Sequence, residues 1–243
     1  MRPLQGIFRS LEGEKPVCIC CRRRSDRVSA EGDGVCICSV CYNNFMKSRV
    51  DDYYDVGGGI RRLFAPFAYD GEIRRIVHEL KFRAASAYAL PLARLIFDAL
   101  PPYYDYSFYD FVIPVPLHWE RLEERGYNQA ELLAAPLARL LGIPIADDVL
   151  FRIRKTERQM VLTRARRIEN VKGAFWADKS VSGKNILLID DIYTVGATVG
   201  ECAAALREKG AADIDAVVLC TNFNKCGTYE RPPTIPAIRR QKN

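Results

Sequence analysis

Unbroken apolar segments and longer helical patterns succeed one another along this chain of 243 residues. The segments Lys184–Ile189 and Ile214–Leu219 are rich in β-branched and aliphatic residues, which is typical of strands covered on both faces. A helical pattern between them ends at Gly210 and places four side chains on one face: Val199, Cys202, Ala203 and Leu206. Thr198 and Glu201 have the spacing of a capping box, so this helix is predicted to begin there.

The patterns upstream predict further strands and helices in alternation. In chain order they indicate a strand, two helices, a strand and a long helix, at Leu63–Tyr69, Glu72–Phe82, Ala87–Leu100, Phe108–Val115 and Glu120–Leu141. This alternation implies an α/β fold with a mostly parallel sheet flanked by helices. Ligands of such sheets bind beyond the carboxyl ends of the strands. The Asp190-Asp191 pair and the corner Pro114–His118 both lie at such ends, so their common edge is the predicted site.

The segment from Asp190 to Thr198 has the residue types of a phosphate-binding site. A loop that opens a helix after a parallel strand presents free backbone N–H groups and the positive end of the helix dipole. Gly196 allows close backbone approach, Thr194 and Thr198 add hydroxyl donors, and the acids suit ribose hydroxyls or Mg²⁺. The pattern is neither a Walker loop nor a dinucleotide fingerprint, so a sugar phosphate fits it better. The alternative is a buried strand, a capped helix and a pair of surface acids.

Composition and charge narrow the class of protein. With 49% hydrophobic and 27% charged residues, the chain is predicted to be globular rather than disordered. It has no apolar run as long as a membrane span and no apolar signal core near Met1, so a cytoplasmic protein without membrane insertion is expected. The net charge is +6, and the segment from Arg152 to Lys172 alone holds eight basic and two acidic residues. That segment is either a solvated helix face or a surface for pyrophosphate or nucleic acid.

Six of the nine cysteines lie near the start of the chain. Two Cys-x-x-Cys pairs can be formed, sixteen residues apart: Cys18 with Cys21 and Cys38 with Cys41. This is the spacing of a four-thiolate zinc ribbon, so a structural zinc is predicted, with disulfides and an iron–sulfur cluster as alternatives. Cys20 and Cys36 lie beside these pairs, and either could replace a neighbour as a ligand.

The chain is therefore predicted to have three parts. A four-cysteine zinc-binding module covers residues 1–50, and the α/β domain covers residues 60–221. The remaining residues, 222–243, are rich in proline and basic residues and are predicted to form a flexible basic tail.

Several segments together resemble the ComF family of competence-associated proteins. Asp190 to Thr198 is similar to the phosphoribosyl pyrophosphate (PRPP) motif of type I phosphoribosyltransferases. Six further segments resemble the family: Phe67–Arg74, Leu80–Arg83, Val112–His118, Arg125–Gln129, Arg158–Arg164 and Arg167–Phe175. With the cysteine pairs, the resemblance runs from about Cys18 to about Cys220.

This resemblance implies a type I phosphoribosyltransferase fold behind a small N-terminal zinc-ribbon module. It implies that Asp190 and Asp191 hold the ribose hydroxyls and Mg²⁺, and that the Leu117/His118 corner takes the pyrophosphate position. The residues of the implied 5′-phosphate loop are Tyr193, Thr194, Val195, Gly196, Ala197 and Thr198. Val195 stands where the family motif usually has a second threonine, which removes one hydroxyl donor. Basic candidates for contacts with pyrophosphate or nucleic acid are Lys81, Arg83, Arg121, Arg125, Arg158, Arg164 and Arg167.

Three functions are compatible with these residues. The chain could be an active phosphoribosyltransferase with an unknown acceptor, a PRPP sensor without catalysis, or a single-stranded DNA-binding adaptor for a DNA-translocating helicase. The resemblance favours a PRPP-binding protein that acts in natural competence and DNA uptake, with structural zinc and with Mg²⁺ bound alongside PRPP. Because no general base stands out in the sequence, whether the protein is an enzyme stays open.

Overall fold

The computed structural model describes residues 14–222, except residues 27, 33, 51–52, 83–84, 103 and 158–162. The strands are β1 (Val17–Cys18), β2 (Val28–Gly32), β3 (Val35–Cys38), β4 (Arg62–Phe64), β5 (Phe67–Ala68), β6 (Phe111–Pro114), β7 (Leu150–Arg152), β8 (Phe175–Ala177), β9 (Ile186–Tyr193) and β10 (Ile214–Thr221). The helices are α1 (Ser39–Ser48), α2 (Gly71–Phe82), α3 (Ala85–Ala99), α4 (Trp119–Arg125), α5 (Gln129–Leu141), α6 (Arg164–Val171) and α7 (Ala197–Glu208). None of these helices is long and apolar enough to cross a membrane.

The central sheet has five parallel strands, as the alternation of strands and helices predicts. Its order is β4, β10, β9 and β6, and β5 continues the edge of β4 along β10. Leu187 and Ile189 of β9 pack into the apolar core on the side of α2, α3 and α5, while Ile186 and Leu188 pack on the side of α7. Both faces of the sheet are therefore covered, which explains why β9 and β10 are continuously apolar.

The N-terminal module is a small sheet of three strands, in the order β1, β3, β2, followed by α1. The strands β2 and β3 pack against α3. A separate antiparallel ribbon of β7 and β8 lies against α7. The predicted tail falls, from residue 223 onward, outside the described residues.

The predicted long helix Glu120–Leu141 is wrong, because the structure divides it into α4 and α5. Gly126 ends α4 in the left-handed conformation, with φ 82°, and its N–H donates to Leu122 O. The Asn128 side chain then accepts from the N–H of Ala130 and caps α5. These two caps interrupt an apolar pattern that otherwise continues through the break.

Two predicted strands are shorter than expected. The segment Leu63–Tyr69 forms β4 and β5 as separate strands, because Pro66 between them has no N–H to donate to the sheet. The segment Phe108–Val115 contributes only β6. It is preceded by a 3₁₀ turn at Tyr106–Phe108, where Asp105 accepts a hydrogen bond from the N–H of Ser107.

The predicted capping box is also wrong. The N-cap of α7 is Gly196, and the helix begins at Ala197. Glu201 instead accepts a hydrogen bond from the N–H of Gly173, at 2.7 Å, and so fastens the start of β8 to α7.

Candidate functional site

The two acids predicted to bind ribose lie near the carboxyl end of β9, and both are buried. Successive residues of a strand point to opposite faces. Asp191 accordingly shares a face with the α2 and α5 side of the sheet, and Asp190 faces the α7 side. Their burial, with Asp191 only 1% exposed, rules out the alternative of a pair of surface acids.

Asp191 is held by two side chains from different helices. Lys81 at the end of α2 forms an ion pair with it at 2.6 Å, and the Gln129 side-chain amide donates to its Oδ1 at 3.1 Å. Burial alone would lower the pKa of Lys81, yet the charge and hydrogen bond of Asp191 outweigh it and raise that pKa. Tyr127 donates to Leu80 O and so fixes the end of α2 beside the sheet. The cation that faces Asp191 is thus supplied by the protein itself.

Asp190 is in a different electrostatic state. Burial raises its pKa well above the usual range for an aspartate, and the charge of Asp191 adds to this effect. Its Oδ1 accepts a hydrogen bond from the N–H of Asp191. The free protein therefore keeps Asp190 protonated to higher pH than an ordinary aspartate, and a cation bound beside it would favour the ionised form.

The loop from Tyr193 to Ala197 turns sharply from β9 into α7. Gly196 has φ 75°, a left-handed conformation that side chains other than glycine rarely adopt. A methyl group at Gly196 would overlap the ring and hydroxyl of Tyr193, which is buried. The loop residues Thr194, Val195, Ala197 and Thr198 are partly exposed at the same edge of the sheet. The first-turn N–H groups of α7 and an open loop are thus available to an anion.

The predicted corner at Leu117 and His118 follows the carboxyl end of β6, the strand that pairs with β9. His118 precedes the first residue of α4, and its backbone carbonyl accepts from the N–H of Arg121 at 2.9 Å. The imidazole is buried, and its Nδ1 has no hydrogen-bond partner among the described residues. A buried polar atom without a partner is costly, so a ligand that supplies one would be favoured here.

The basic residues predicted to contact pyrophosphate or nucleic acid differ in their partners and positions. Lys81 pairs with Asp191, Arg121 donates to Thr156 O at 3.0 Å, and Arg125 contacts the Gln129 side chain. Arg164 and Arg167 belong to α6, whereas Arg83 and Arg158 lie outside the described residues. Two further residues, Gln129 and Arg152, were not identified from the sequence, and both are buried at this edge.

The four cysteines of the two Cys-x-x-Cys pairs converge in the N-terminal module. The sulfur atoms of Cys18, Cys21, Cys38 and Cys41 all lie within 4.8 Å of one another, and those of Cys21 and Cys38 are 3.9 Å apart. Sulfur atoms around a tetrahedral zinc, with Zn–S bonds of about 2.3 Å, lie about 3.8 Å apart. The described cysteines form no disulfide. This cluster could therefore hold a zinc ion.

The two additional cysteines of the module differ in position. Cys20 lies with Cys41 and Glu72 in a second group whose ligand atoms are within 4.8 Å of one another. Cys36 belongs to neither group within the described part of the chain, and its thiol contacts Pro16 O at 3.9 Å. Only Cys20 is thus placed to substitute for a neighbour.

Helix α2 connects the cysteine cluster to the acids. Arg75 donates to the backbone carbonyls of Ile19 and Cys20, at 2.9 and 2.6 Å, within the first Cys-x-x-Cys pair. Arg22 pairs with Glu79 of the same helix. The end of that helix carries Lys81, which contacts Asp191. The cysteine cluster and the sheet edge are therefore joined by one helix.

This fold and this sheet edge, with an acid pair followed by a glycine loop at the start of a helix, define a type I phosphoribosyltransferase domain. The phosphoribosyl transferase domain model matches residues 128–235. The DNA utilization protein YhgH of Salmonella typhi is 34% identical over 171 residues, which are 66% of this chain and 72% of that protein. The chain belongs to the ComF family.

Two other relatives are named for competence. Competence protein F of Haemophilus influenzae is 38% identical over 106 residues, which are 42% of this chain and 46% of that protein. Competence protein ComFC of Bacillus subtilis is 29% identical over 217 residues, which are 83% of this chain and 82% of that protein. The resemblance recognised from the sequence motifs is therefore confirmed.

Proposed function

We propose that the protein binds PRPP together with Mg²⁺ at the carboxyl edge of its sheet. The observation that carries this proposal is the arrangement of Asp190, Asp191 and the Gly196 loop. Two buried carboxyls lie near the end of β9, and the loop that follows this strand opens a helix a few residues later. Buried carboxylates can accept hydrogen bonds from ribose hydroxyls and coordinate Mg²⁺, and the N–H groups at the start of α7 can bind a phosphate.

Each part of PRPP has a proposed position. Asp190 and Asp191 bind the ribose hydroxyls and Mg²⁺, the loop from Tyr193 to Thr198 binds the 5′-phosphate, and Leu117 and His118 lie beside the pyrophosphate. Ribose would replace the contacts that Lys81 and Gln129 make with Asp191 in the free protein. The freed Lys81 ammonium would then lie beside a ligand of high negative charge, which favours binding.

The chemistry of such a site is transfer of the phosphoribosyl group. PRPP loses pyrophosphate as a nucleophile attacks the anomeric carbon, and positive charge develops on the ribose. Carboxylates near the ribose and cations near the leaving group stabilise the charges of that step. The acceptor is not defined by any residue of the site, so a PRPP sensor without catalysis remains the alternative.

Calorimetric titration of the zinc-loaded protein with PRPP and Mg²⁺ tests the site. We expect saturable binding, and we expect Asp190→Asn with Asp191→Asn to weaken it about tenfold or more, because two charged ligands are lost. The matched control is Asp147→Asn with Asp148→Asn, a second adjacent acid pair that is exposed. If the first double variant bound PRPP as well as the control does, the assignment of the acids would be wrong.

A second candidate function, binding of single-stranded DNA, is favoured by the ribbon of β7 and β8. Phe151 and Trp176 are cross-strand neighbours on this ribbon, with ring centroids 5.7 Å apart, and each is 42% exposed. Lys209 lies 5.9 Å from the centre of the Trp176 ring, and Arg154 and Lys155 are exposed where β7 ends. Exposed aromatic rings among cations are the usual means of holding unpaired bases and their phosphates.

The relatives named for DNA utilization and competence support this second function. We propose that the chain acts in DNA uptake, with a DNA-translocating helicase as its protein partner. Fluorescence anisotropy with a labelled oligothymidine is the test. Phe151→Ala with Trp176→Ala should weaken binding about 30-fold or more, since each of the two stacked bases contributes roughly 1–3 kcal/mol. Phe108→Ala, at another exposed ring, is the control. Equal affinities of these variants would refute a role for the ribbon.

A further inference from the structure

Cys20, Cys41 and Glu72 form a second group of metal-ligating side chains beside the four-cysteine cluster. Their ligand atoms all lie within 4.8 Å of one another. Cys20 and Cys41 are buried, whereas Glu72 is exposed. Cys41 belongs to both groups, so its sulfur is shared between them. Two thiols and one carboxyl group are a ligand set of the kind that binds zinc, and the cluster alone does not account for Cys20 and Glu72.

Helix α2 places Glu72 against the first cysteine pair. Glu72 lies in the first turn of this helix. Arg75 lies about one turn later on the same face, and it donates to the backbone carbonyl of Cys20 at 2.6 Å. Arg75 is also paired with Glu79, so its charge is already shared with another acid. Glu72 itself forms no ion pair with any basic residue in the described part of the chain. Its carboxylate is therefore available to a cation.

The spacing of the three ligand atoms suits one ion. Zinc binds thiolate sulfur at about 2.3 Å and carboxylate oxygen at about 2.0–2.2 Å, so the ligand atoms of a tetrahedral site are about 3.6–3.8 Å apart. From their limit of 4.8 Å, the three atoms would have to approach one another by at most about 1 Å. The exposed side chain of Glu72 can make much of this movement by rotation.

The shared sulfur and the local charge both allow a second ion beside the first. A thiolate keeps further lone pairs after it binds one metal, so Cys41 can bridge two. Ions about 3.5–4 Å apart are common in two-metal sites, where ligands between them offset their repulsion. Four thiolates around one Zn²⁺ leave two negative charges uncompensated, and Glu72 adds a third nearby. A second divalent cation is therefore favoured electrostatically at this position.

The Glu72 end of the group is open to solvent. Glu72 lines a cavity of about 320 Å³ between α1 and the start of α2, together with Phe45, Phe67 and Asp70. An ion can reach the carboxylate from this cavity. Three protein ligands leave one position of a tetrahedral zinc free, and water usually takes that position.

We propose that Cys20, Cys41 and Glu72 bind a second zinc-like divalent ion, which Cys41 bridges to the ion of the four-cysteine cluster. The Cys20 thiol gives its proton to solvent as it binds the metal. This site has only three protein ligands, of which one is shared and one is exposed. The second ion therefore binds more weakly than the first, and it occupies the site only when metal is supplied in excess. The proposal is independent of PRPP binding.

The test is a metal titration of the full-length protein under reducing conditions. Protein loaded with one equivalent of zinc is titrated with further Zn²⁺ by calorimetry, and we expect the wild type to bind a second equivalent. Protein loaded with cadmium-113 should give two NMR resonances that are coupled to each other through the sulfur of Cys41. Cys20→Ser and Glu72→Gln should each keep the first ion and bind the second at least 100-fold more weakly, since even the loss of an outer hydrogen-bond partner of a metal ligand costs about 10- to 100-fold.

Two matched variants control for charge and for the loss of a thiol. Asp70→Asn removes an exposed acid from the same cavity, but this acid belongs to neither group of ligands. Cys36→Ser removes a buried thiol of the same module that is likewise outside both groups. Both variants should bind the second ion as the wild type does. Glu72→Gln keeps the test decisive if Cys20→Ser fails to fold, because Glu72 is exposed.

Three results would overturn the proposal. The wild type could bind a single ion even in excess zinc, which would leave Cys20 and Glu72 without a role in metal binding. Glu72→Gln could bind the second ion as tightly as Asp70→Asn does, which would show an adventitious ion only. Two cadmium resonances without mutual coupling would exclude the bridge through Cys41. A wild type that bound no ion at all would also refute the zinc assignment of the four-cysteine cluster.

Discussion

Cys38→Ser is expected to abolish zinc binding and to unfold the N-terminal module. The module consists of three short strands and one helix, so its own core is small and a bound zinc is expected to supply much of its stability. Binding of a structural zinc by four thiolates supplies apparent free energies of about 10–16 kcal/mol, and loss of one ligand forfeits most of this. Metal analysis should find one zinc per wild-type chain and none in the variant. Hydrogen exchange should show the strands β1–β3 unprotected in the variant.

Cys36→Ser is the matched control for this prediction. Cys36 is buried, as Cys38 is, and lies in the same strand, but its thiol is outside the cluster. We expect this variant to keep its zinc, at a cost of only a moderate fall in melting temperature. A zinc-free Cys36→Ser variant, or a zinc-loaded Cys38→Ser variant, would contradict the ligand set.

Loss of zinc should also affect the proposed PRPP site at the sheet edge. Arg75 and Arg22 join the first cysteine pair to α2, and the end of α2 carries Lys81. Unfolding of the module would remove these contacts and loosen the helix that holds the partner of Asp191. The PRPP affinity of Cys38→Ser is therefore expected to change, and an unchanged affinity would show that the two sites are independent.

The central part of the fold could be predicted from the sequence because its signals are local and strong. Strands β9 and β10 are continuously apolar, and α2 buries Ile73, Ile76, Val77 and Leu80 at helical spacing. The breaks were harder to predict, because apolar periodicity continues through Gly126 into α5. The caps at Gly126 and Asn128 were visible as residue types, but the helical pattern outweighed them.

The candidate site was predicted only in part, for a physical reason. Motifs report residues that are adjacent in the chain, so they identified the acids, the glycine loop and the four cysteines. The partners of Asp191 come from α2 and α5, and their approach depends on how these helices cross the sheet edge. Arg152 was missed for a different reason. It lies in a basic segment that resembles a solvated surface, and its burial follows only from the packing of β7 and β8 against α7.

Gly196→Ala is expected to disable the phosphate loop while leaving the rest of the fold intact. An alanine at φ 75° costs about 1–2 kcal/mol, and its methyl group would overlap the buried ring of Tyr193. Either the loop or the ring must move, and the N–H groups at the start of α7 would move with it. Hydrogen bonds to a charged group are worth about 1.5–3 kcal/mol each, so the loss of two of them weakens binding on the order of 100-fold or more. We therefore expect PRPP and ribose 5-phosphate both to bind at least this much more weakly, as measured by calorimetry.

Gly200→Ala is the control, because it makes the same substitution at a glycine without the left-handed conformation. Gly200 lies one turn later in α7, has no atom within 4 Å of an added methyl group, and has no positive φ. The same substitution there should raise stability by about 1 kcal/mol, because alanine favours a helix over glycine. Its PRPP affinity should equal that of the wild type. If Gly196→Ala and Gly200→Ala bound PRPP equally well, the loop would not contact the ligand, and the 5′-phosphate would have to bind elsewhere on the sheet edge.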